Sequence, residues 1–440
     1  MPGNKIGVVA ATAVALGAII GAGIFVLSGT VISIAGPYAI PAFLIVGIVA
    51  LSVALNFGVL GSIMPNAKGA SYSYVYGAFG SELGFITGIL LYFSFATAVS
   101  VVSLGFGATL SGLLGSSFSG YSYIFSIALI AAVGLLNLRG IKNAAHTDTM
   151  LVITKIMILL IFVAFAIFFA FGTGHFSPSN FLTGGASGSI INNILEASIA
   201  IFFAYTGFQT VSTFTSKVSG GAQKAAKAII AAVVISIVIY VLVIFGLMLL
   251  MPASSYGITA NPLTSALSAA HAPSWLFILV SIGALIATAS ATIAMVMAAS
   301  RVMYQISKDG LLPRIFRKYN KQKDVAANSI LATVFIAVIM LFAGNVYIIA
   351  AISNFGLLFS YIMSMIALMH FHKRHKTDGA RLFLYPYLQI ITIAMLMLFM
   401  YGLPHEAFVI NVILVISLIV IYYALTEVEN KRIPRLRLFS

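Results

Sequence analysis

The chain has 440 residues, 61% of them hydrophobic and 7% charged, with a formal net charge of +14 and no cysteine. A water-soluble domain needs far more polar surface than that, and without thiols there are no disulfides or thiolate metal sites. The apolar residues come in blocks of about 20, which suits helices crossing a ~30 Å hydrocarbon layer and not the alternating strands of a membrane barrel. In a soluble protein the positive charge would suggest a nucleic-acid partner; here its distribution along the chain argues against one.

Twelve spans are predicted, at roughly 6–33, 39–63, 82–113, 121–138, 148–171, 190–216, 225–251, 273–305, 326–343, 346–371, 382–402 and 407–426. The first, with Lys5 before it, has the look of a secretory leader, but the many spans that follow mark it as a retained helix. With the N-terminus inside, Lys5, Lys68, Arg139, Lys142, Lys217, Lys224, Lys227 and Arg301 fall at cytoplasmic ends. So do the basic stretches 308–323, 373–381 and 431–437, while the outer loops 172–189 and 252–272 carry no Lys or Arg. Short basic loops resist translocation, so a multi-pass protein of the cytoplasmic (inner) membrane with both termini cytoplasmic is expected, surrounded by lipid and of undetermined oligomeric state.

The first span contains Gly17-Ala18-Ile19-Ile20-Gly21-Ala22-Gly23-Ile24-Phe25 about midway across. Small residues there can pack two membrane helices closely. Alternatively the helix unwinds and offers amide N–H groups to a carboxylate. The fifth span holds Lys155, about 12 Å from its cytoplasmic end. A lysine at that depth either tethers helices through backbone carbonyls or serves a function in a cavity, because a charge there is costly without a partner. The sixth span reads Phe202-Phe203-Ala204-Tyr205-Thr206-Gly207-Phe208-Gln209, again interrupted by glycine near its middle. Interruptions at matching places in two halves point to an inverted-repeat transporter with its site between the repeats. The expected division is 1–171 (helices 1–5), 172–371 (helices 6–10) and 372–440 (helices 11–12 and the tail).

Four segments carry a family resemblance. They are Gly17 to Phe25, the stretch Pro65 to Gly80 (PNAKGASYSYVYGAFG), Asn137-Leu138-Arg139-Gly140-Ile141-Lys142, and Ser300-Arg301-Val302-Met303-Tyr304 with Lys308-Asp309-Gly310-Leu311-Leu312-Pro313. In this order and topology the chain resembles the amino acid–polyamine–organocation (APC) transporters over about its first 320 residues. The resemblance implies a leucine-transporter-type fold: a 5+5 inverted repeat plus two C-terminal helices, with helices 1 and 6 broken and working by alternating access. It also implies an amino acid site built from Ile19, Ile20, Gly21, Ala22 and Gly23 against Phe203, Ala204, Tyr205, Thr206 and Gly207. The amides around Ala22 and Gly23 would take the α-carboxylate. The carbonyls of Ile19, Phe203 and Thr206 would take the α-ammonium, as the half-helix dipoles require. Phe203 or Tyr205 would gate the site, and Ser94, Thr97, Tyr205, Ser290 and Asn354 would line it.

The resemblance further places Lys155 where a coupling cation sits in sodium-coupled relatives, reaching carbonyls near Gly17 to Ile20 and the Ser290 hydroxyl. Taking an ammonium out of water disfavours its charged form, so such a lysine can release its proton within a cycle, and proton symport is the expectation. Exchange without ion coupling stays open, as does a potassium or other cation transporter or channel on a related fold. One departure bears on substrate. Phe214 to Lys224 lacks the acidic residue and Asn-Pro loop usual in the family, which leaves the subfamily open.

Glu196, in the outer part of span six, is read either as a gate or proton relay, or as a water-exposed acid at the mouth. Glu82 and Asp148 sit at cytoplasmic span ends. His175, His271 and His405 are too scattered for a metal site, and no cofactor is expected. No metalloprotease motif, nucleophile elbow or deep carboxylate cluster suggests an enzyme.

Overall fold

A computed structural model describes residues 7–21, 23–65, 67, 69–140, 144–182, 184–185, 188–209, 218–320, 325–374 and 384–428. Among them there is no strand, only an isolated bridge between Asn320 and Val325. The helices in chain order are α1 (Val8–Ile19), α2 (Ser28–Ala35), α3 (Ala39–Ile63), α4 (Ser71–Phe79), α5 (Ser81–Leu114), α6 (Ser122–Arg139), α7 (Ala144–Ile167) and α8 (Ile190–Tyr205). They continue with α9 (Gly221–Leu250), α10 (Pro262–Ala269), α11 (Ser274–Lys308), α12 (Ala327–Met340), α13 (Val346–Lys373), α14 (Tyr387–Tyr401) and α15 (His405–Val428). A π-helical turn, Gly23–Leu27, leads into α2.

This is an all-α membrane fold. Among the described residues eight helical stretches are long and apolar enough to cross a bilayer, and Ile190–Tyr205, Ala327–Met340 and Tyr387–Tyr401 are shorter apolar helices. The first of the eight, Val8–Ile63, has 56 residues and turns back at Gly36–Tyr38, as a segment far longer than ~20 residues must. Side-chain caps start two of the helices: Ser189 Oγ accepts from Asn192 N (3.2 Å) and Asn345 Oδ1 from Ile348 N (2.9 Å).

Two helices escaped the sequence reading. α4 and α10 have 9 and 8 residues, about 12–14 Å at 1.5 Å per residue, too short to register as spans. They form because Tyr72, Tyr74, Val75 and Phe79 in one, and Leu263, Ala266 and Leu267 in the other, are buried against the bundle.

The packing pairs helices whose predicted spans are five apart. α2 lies against α8, α3 against α9, α5 against α11, and α6 against α12, while α13 packs along α5 and α1 runs beside α7, α9 and α11. The two interrupted helices thus lie next to one another in the buried interior, with Ile19, Ile20, Ile24, Phe203, Ala204 and Tyr205 all buried.

Candidate functional site

Helix α1 ends where its hydrogen-bond ladder runs out. Ile20 N still donates to Leu16 O (2.7 Å), but Gly21 N turns back to Ile19 O (2.8 Å), and the chain resumes as a π-helical turn at Gly23. Ala22 lies outside the described residues. Helix α8 ends similarly. Thr206 is extended, Gly207 has φ +116°, and its N–H is closed by the Gln209 side chain (2.9 Å). The second half of that span, 210–217, lies outside the described residues, as do the first four positions of the departing segment Phe214 to Lys224.

The two breaks lock into each other. A Cβ on Gly23 would stand 2.1 Å from Ala204 Cα, and one on Gly207 would stand 2.4 Å from the Ala18 carbonyl oxygen. Each break therefore rests its glycine on the opposite helix just before that helix's own break. Glycine at 207 is doubly required, by this backbone approach and by a left-handed φ. Gly21 faces α11, where a Cβ would meet Ala291 Cβ at 2.8 Å.

Lys155 of α7 is fully buried. Its Nζ donates to Gly17 O (3.4 Å), Ile20 O (3.3 Å) and Ser290 Oγ (2.5 Å). The ammonium thus holds the last carbonyls of α1 to the middle of α11, at the unwound C-terminal end where a helix dipole favours positive charge. Among the described residues Lys155 is the one charged side chain in the buried interior.

Tyr240 of α9, absent from the sequence reading, completes the arrangement. Its hydroxyl lies 2.8 Å from Ile19 O and 2.9 Å from Ala204 O, one carbonyl from each broken helix. A phenol has one proton to donate, so it serves the two acceptors by turns or shares it between them. The signal was a tyrosine in the middle of the aliphatic run Ile237-Val238-Ile239-Tyr240-Val241-Leu242, since a buried hydroxyl needs a partner.

The other expected residues divide. The Ile19 carbonyl already accepts from Gly21 N and Tyr240, and the Phe203 carbonyl from Thr206 N (3.2 Å) and Thr206 Oγ1 (2.7 Å). A carbonyl has two lone pairs, so an incoming ammonium must displace one of these donors. Tyr205 turns to α3: its hydroxyl donates to Phe43 O (3.2 Å), and its ring packs on Tyr240 and Phe43 with centroids 5.1 and 6.3 Å away. Those surroundings tie α8 to α3.

Ser94, Thr97 and Asn354 are buried, and Asn354 Nδ2 donates to Ile199 O (2.5 Å). The Ser94 and Thr97 hydroxyls and Asn354 Oδ1 have no hydrogen-bond partner among the described residues. Glu196 is exposed, away from the breaks, and its carbonyl accepts from Tyr347 Oη (3.1 Å).

Residues 6–428 match the family model described as amino acid permease. A methylthioribose transporter of Bacillus subtilis (strain 168) is 29% identical over 415 residues, 89% of this chain and 87% of that protein. The branched-chain amino acid permease BcaP of the same organism is 28% identical over 415 residues, covering 88% and 85%. A vacuolar cationic amino acid transporter 2 of Arabidopsis thaliana is 27% identical over 377 residues, covering 81% of this chain and 58% of that one.

Proposed function

The chain belongs to the amino acid permease family, within the APC transporters, and from that premise we propose that it carries a neutral amino acid across the cytoplasmic membrane by alternating access. The proposed topology has twelve crossings and both termini in the cytoplasm. The proposed architecture is two inverted repeats of five spans, 1–171 and 172–371, followed by 372–440. The pairing of spans five apart and the reciprocal contact of the two breaks support it.

The substrate's α-carboxylate binds the amides after the first break, where unpaired N–H groups begin a new helix. Its ammonium takes the place of the Tyr240 hydroxyl at the Ile19 carbonyl, or of the Thr206 hydroxyl at Phe203. Phe203, which stays buried at the end of α8, closes over it. A neutral side chain is favoured because no acidic side chain is buried among the described residues to balance a cationic one. The likeness to a branched-chain permease agrees with this, and the unpartnered hydroxyls of Ser94 and Thr97 offer polar contacts on α5.

The observation that carries coupling is the Lys155 ammonium on Gly17, Ile20 and Ser290. While protonated it ties α1 to α11. Once the proton leaves, the neutral amine has two N–H donors for three acceptors and no charge to hold them. The tie between α1 and α11 then weakens and α1 is free to swing, so proton movement and gate movement become one event.

The test is uptake of labelled leucine into liposomes holding the purified protein, under an imposed proton or sodium gradient. Uptake driven by the proton gradient and lost in Lys155→Ala is expected. Sodium-driven uptake indifferent to pH overturns the role of Lys155. Homo-exchange with no gradient response makes the chain an exchanger. Competition by arginine or methylthioribose, and not by leucine, overturns the substrate class.

A further inference from the structure

Between α11 and α12 a short 3₁₀ helix, Arg314–Arg317, is held in one place by the helices on either side. Asn328 Nδ2 donates to Ile315 O (2.7 Å), Ser329 Oγ to Phe316 O (3.4 Å), and Ser307 Oγ to Pro313 O (3.0 Å). With three residues per turn, side chains three apart eclipse one another. Arg314 and Arg317 therefore share one edge, and Ile315 and Lys318 share the next. Phe316 turns inward and is half-buried against the core, whereas Arg314, Arg317 and Lys318 are exposed, and Ile315 is 55% exposed.

Directly beside this helix, α12 presents an apolar face. Leu331, Phe335 and Ile339 recur every four residues, so they lie on one side of the helix, and their exposures are 54%, 67% and 52%. The hydrogen bond from Asn328, three residues before Leu331, to the Ile315 carbonyl joins the base of that face to the basic edge. A strip of exposed aliphatic and aromatic side chains thus ends in a fixed cluster of two guanidinium groups and an ammonium.

We propose that this corner binds one anionic phospholipid. Its phosphate lies on Arg314 and Arg317, whose planar forks match phosphate oxygens better than a lysine's point charge does. Lys318 adds a second positive contact. Its acyl chains run along Leu331, Phe335 and Ile339, and Ile315 enters the boundary between headgroup and chain. The tethering of the short helix fixes the backbone that carries the donors, so binding orders their side chains and not the loop itself. The proposed orientation decides which leaflet supplies the lipid, but the site itself does not depend on the substrate or on coupling.

The experiment uses the full chain, purified in detergent and titrated with phosphatidylglycerol, with bound lipid counted by native mass spectrometry. The same protein is read in phosphatidylcholine vesicles with and without phosphatidylglycerol. One phosphatidylglycerol retained per chain is expected. The triple variant Arg314→Gln, Arg317→Gln, Lys318→Gln loses about tenfold in apparent affinity, and Ile315→Ser a few-fold, with thermal stability in phosphatidylcholine unchanged. Lys224→Gln with Lys227→Gln, which removes two exposed lysines at the start of α9, leaves the bound lipid in place.

Equal retention by the triple variant overturns the proposal. So does equal loss in the α9 pair, which reduces the effect to bulk charge. Displacement of the lipid by millimolar glycerol 1-phosphate shows a phosphate site with no acyl-chain contribution, and overturns it as well. Should the triple variant misfold, the double change Arg314→Gln with Ile315→Ser gives the same reading.

Discussion

The two helix breaks have the same glycine contact and different custody. The second, at Thr206–Gly207, is closed largely from within: Thr206 bonds the Phe203 carbonyl and Gln209 caps Gly207, all within a few residues. The first, at Ile20–Gly23, is held from outside, by Lys155 on α7, which Ser290 on α11 anchors in turn, and by Tyr240 on α9. A break that satisfies itself can keep its shape while the helices around it shift. One held by three other helices changes whenever they do, and is the natural place to attach coupling. Tyr240 touches both, and so joins the self-contained break to the externally held one.

That contrast is open to attack by mutation, and the largest effect is expected where the breaks meet. Gly207→Ala puts a Cβ 2.4 Å from the Ala18 carbonyl at a φ of +116°. Backbone strain of about 1–3 kcal/mol is then added to a backbone clash, and leucine uptake falls by about a hundredfold or more, with a lower melting temperature. Near-normal uptake would break the idea that the two helices need this contact.

Lys155→Ala comes next. It leaves the Gly17 and Ile20 carbonyls without their donor, at about 1–3 kcal/mol for each buried group, so proton-driven uptake drops by about thirtyfold or more and the pH dependence of the remainder disappears. Lys155→Arg does not restore it, because a planar fork does not fit a site built for a compact ammonium. Unchanged pH dependence in Lys155→Ala would make the lysine a tether only.

Tyr240→Phe removes one hydroxyl from two carbonyls, worth about 1–2 kcal/mol, which is about tenfold in uptake. Its partition sharpens the comparison. If the Ile19 carbonyl is where the substrate ammonium arrives, the apparent affinity for leucine changes more than the maximal rate. The smallest effect belongs to the self-contained break: Thr206→Val loses one local hydrogen bond of about 1 kcal/mol, a few-fold in uptake, with the response to the proton gradient intact. A larger loss than in Lys155→Ala would reverse the assignment of the two breaks.

Much of this site was legible one helix at a time. Lys155 stood out because no other described interior position carries a charge, and that anomaly needs only depth along a hydrophobic block to be noticed. Gly21, Gly23 and Gly207 stood out as flexible points in apolar runs. Tyr240 passed unnoticed because tyrosine is common in membrane helices, and only its two carbonyl partners distinguish it. Tyr205 shows the opposite case: its place beside a break suggested a gate, yet which way it faces depends on α8's rotation, and the ring meets Phe43 of α3.

What the sequence determined by itself is what depends on local composition. An excess of apolar residues in blocks demands a lipid environment and helices that satisfy their own backbone. The blocks mark where helices run, and glycine in their middles marks where they can open. Only the tertiary structure decided which elements share a site. Lys155 meets Gly17 across 138 residues of chain, and Tyr240 meets Ile19 across 221. Contacts over such separations arise from how whole helices pack, and no residue's local preference encodes them.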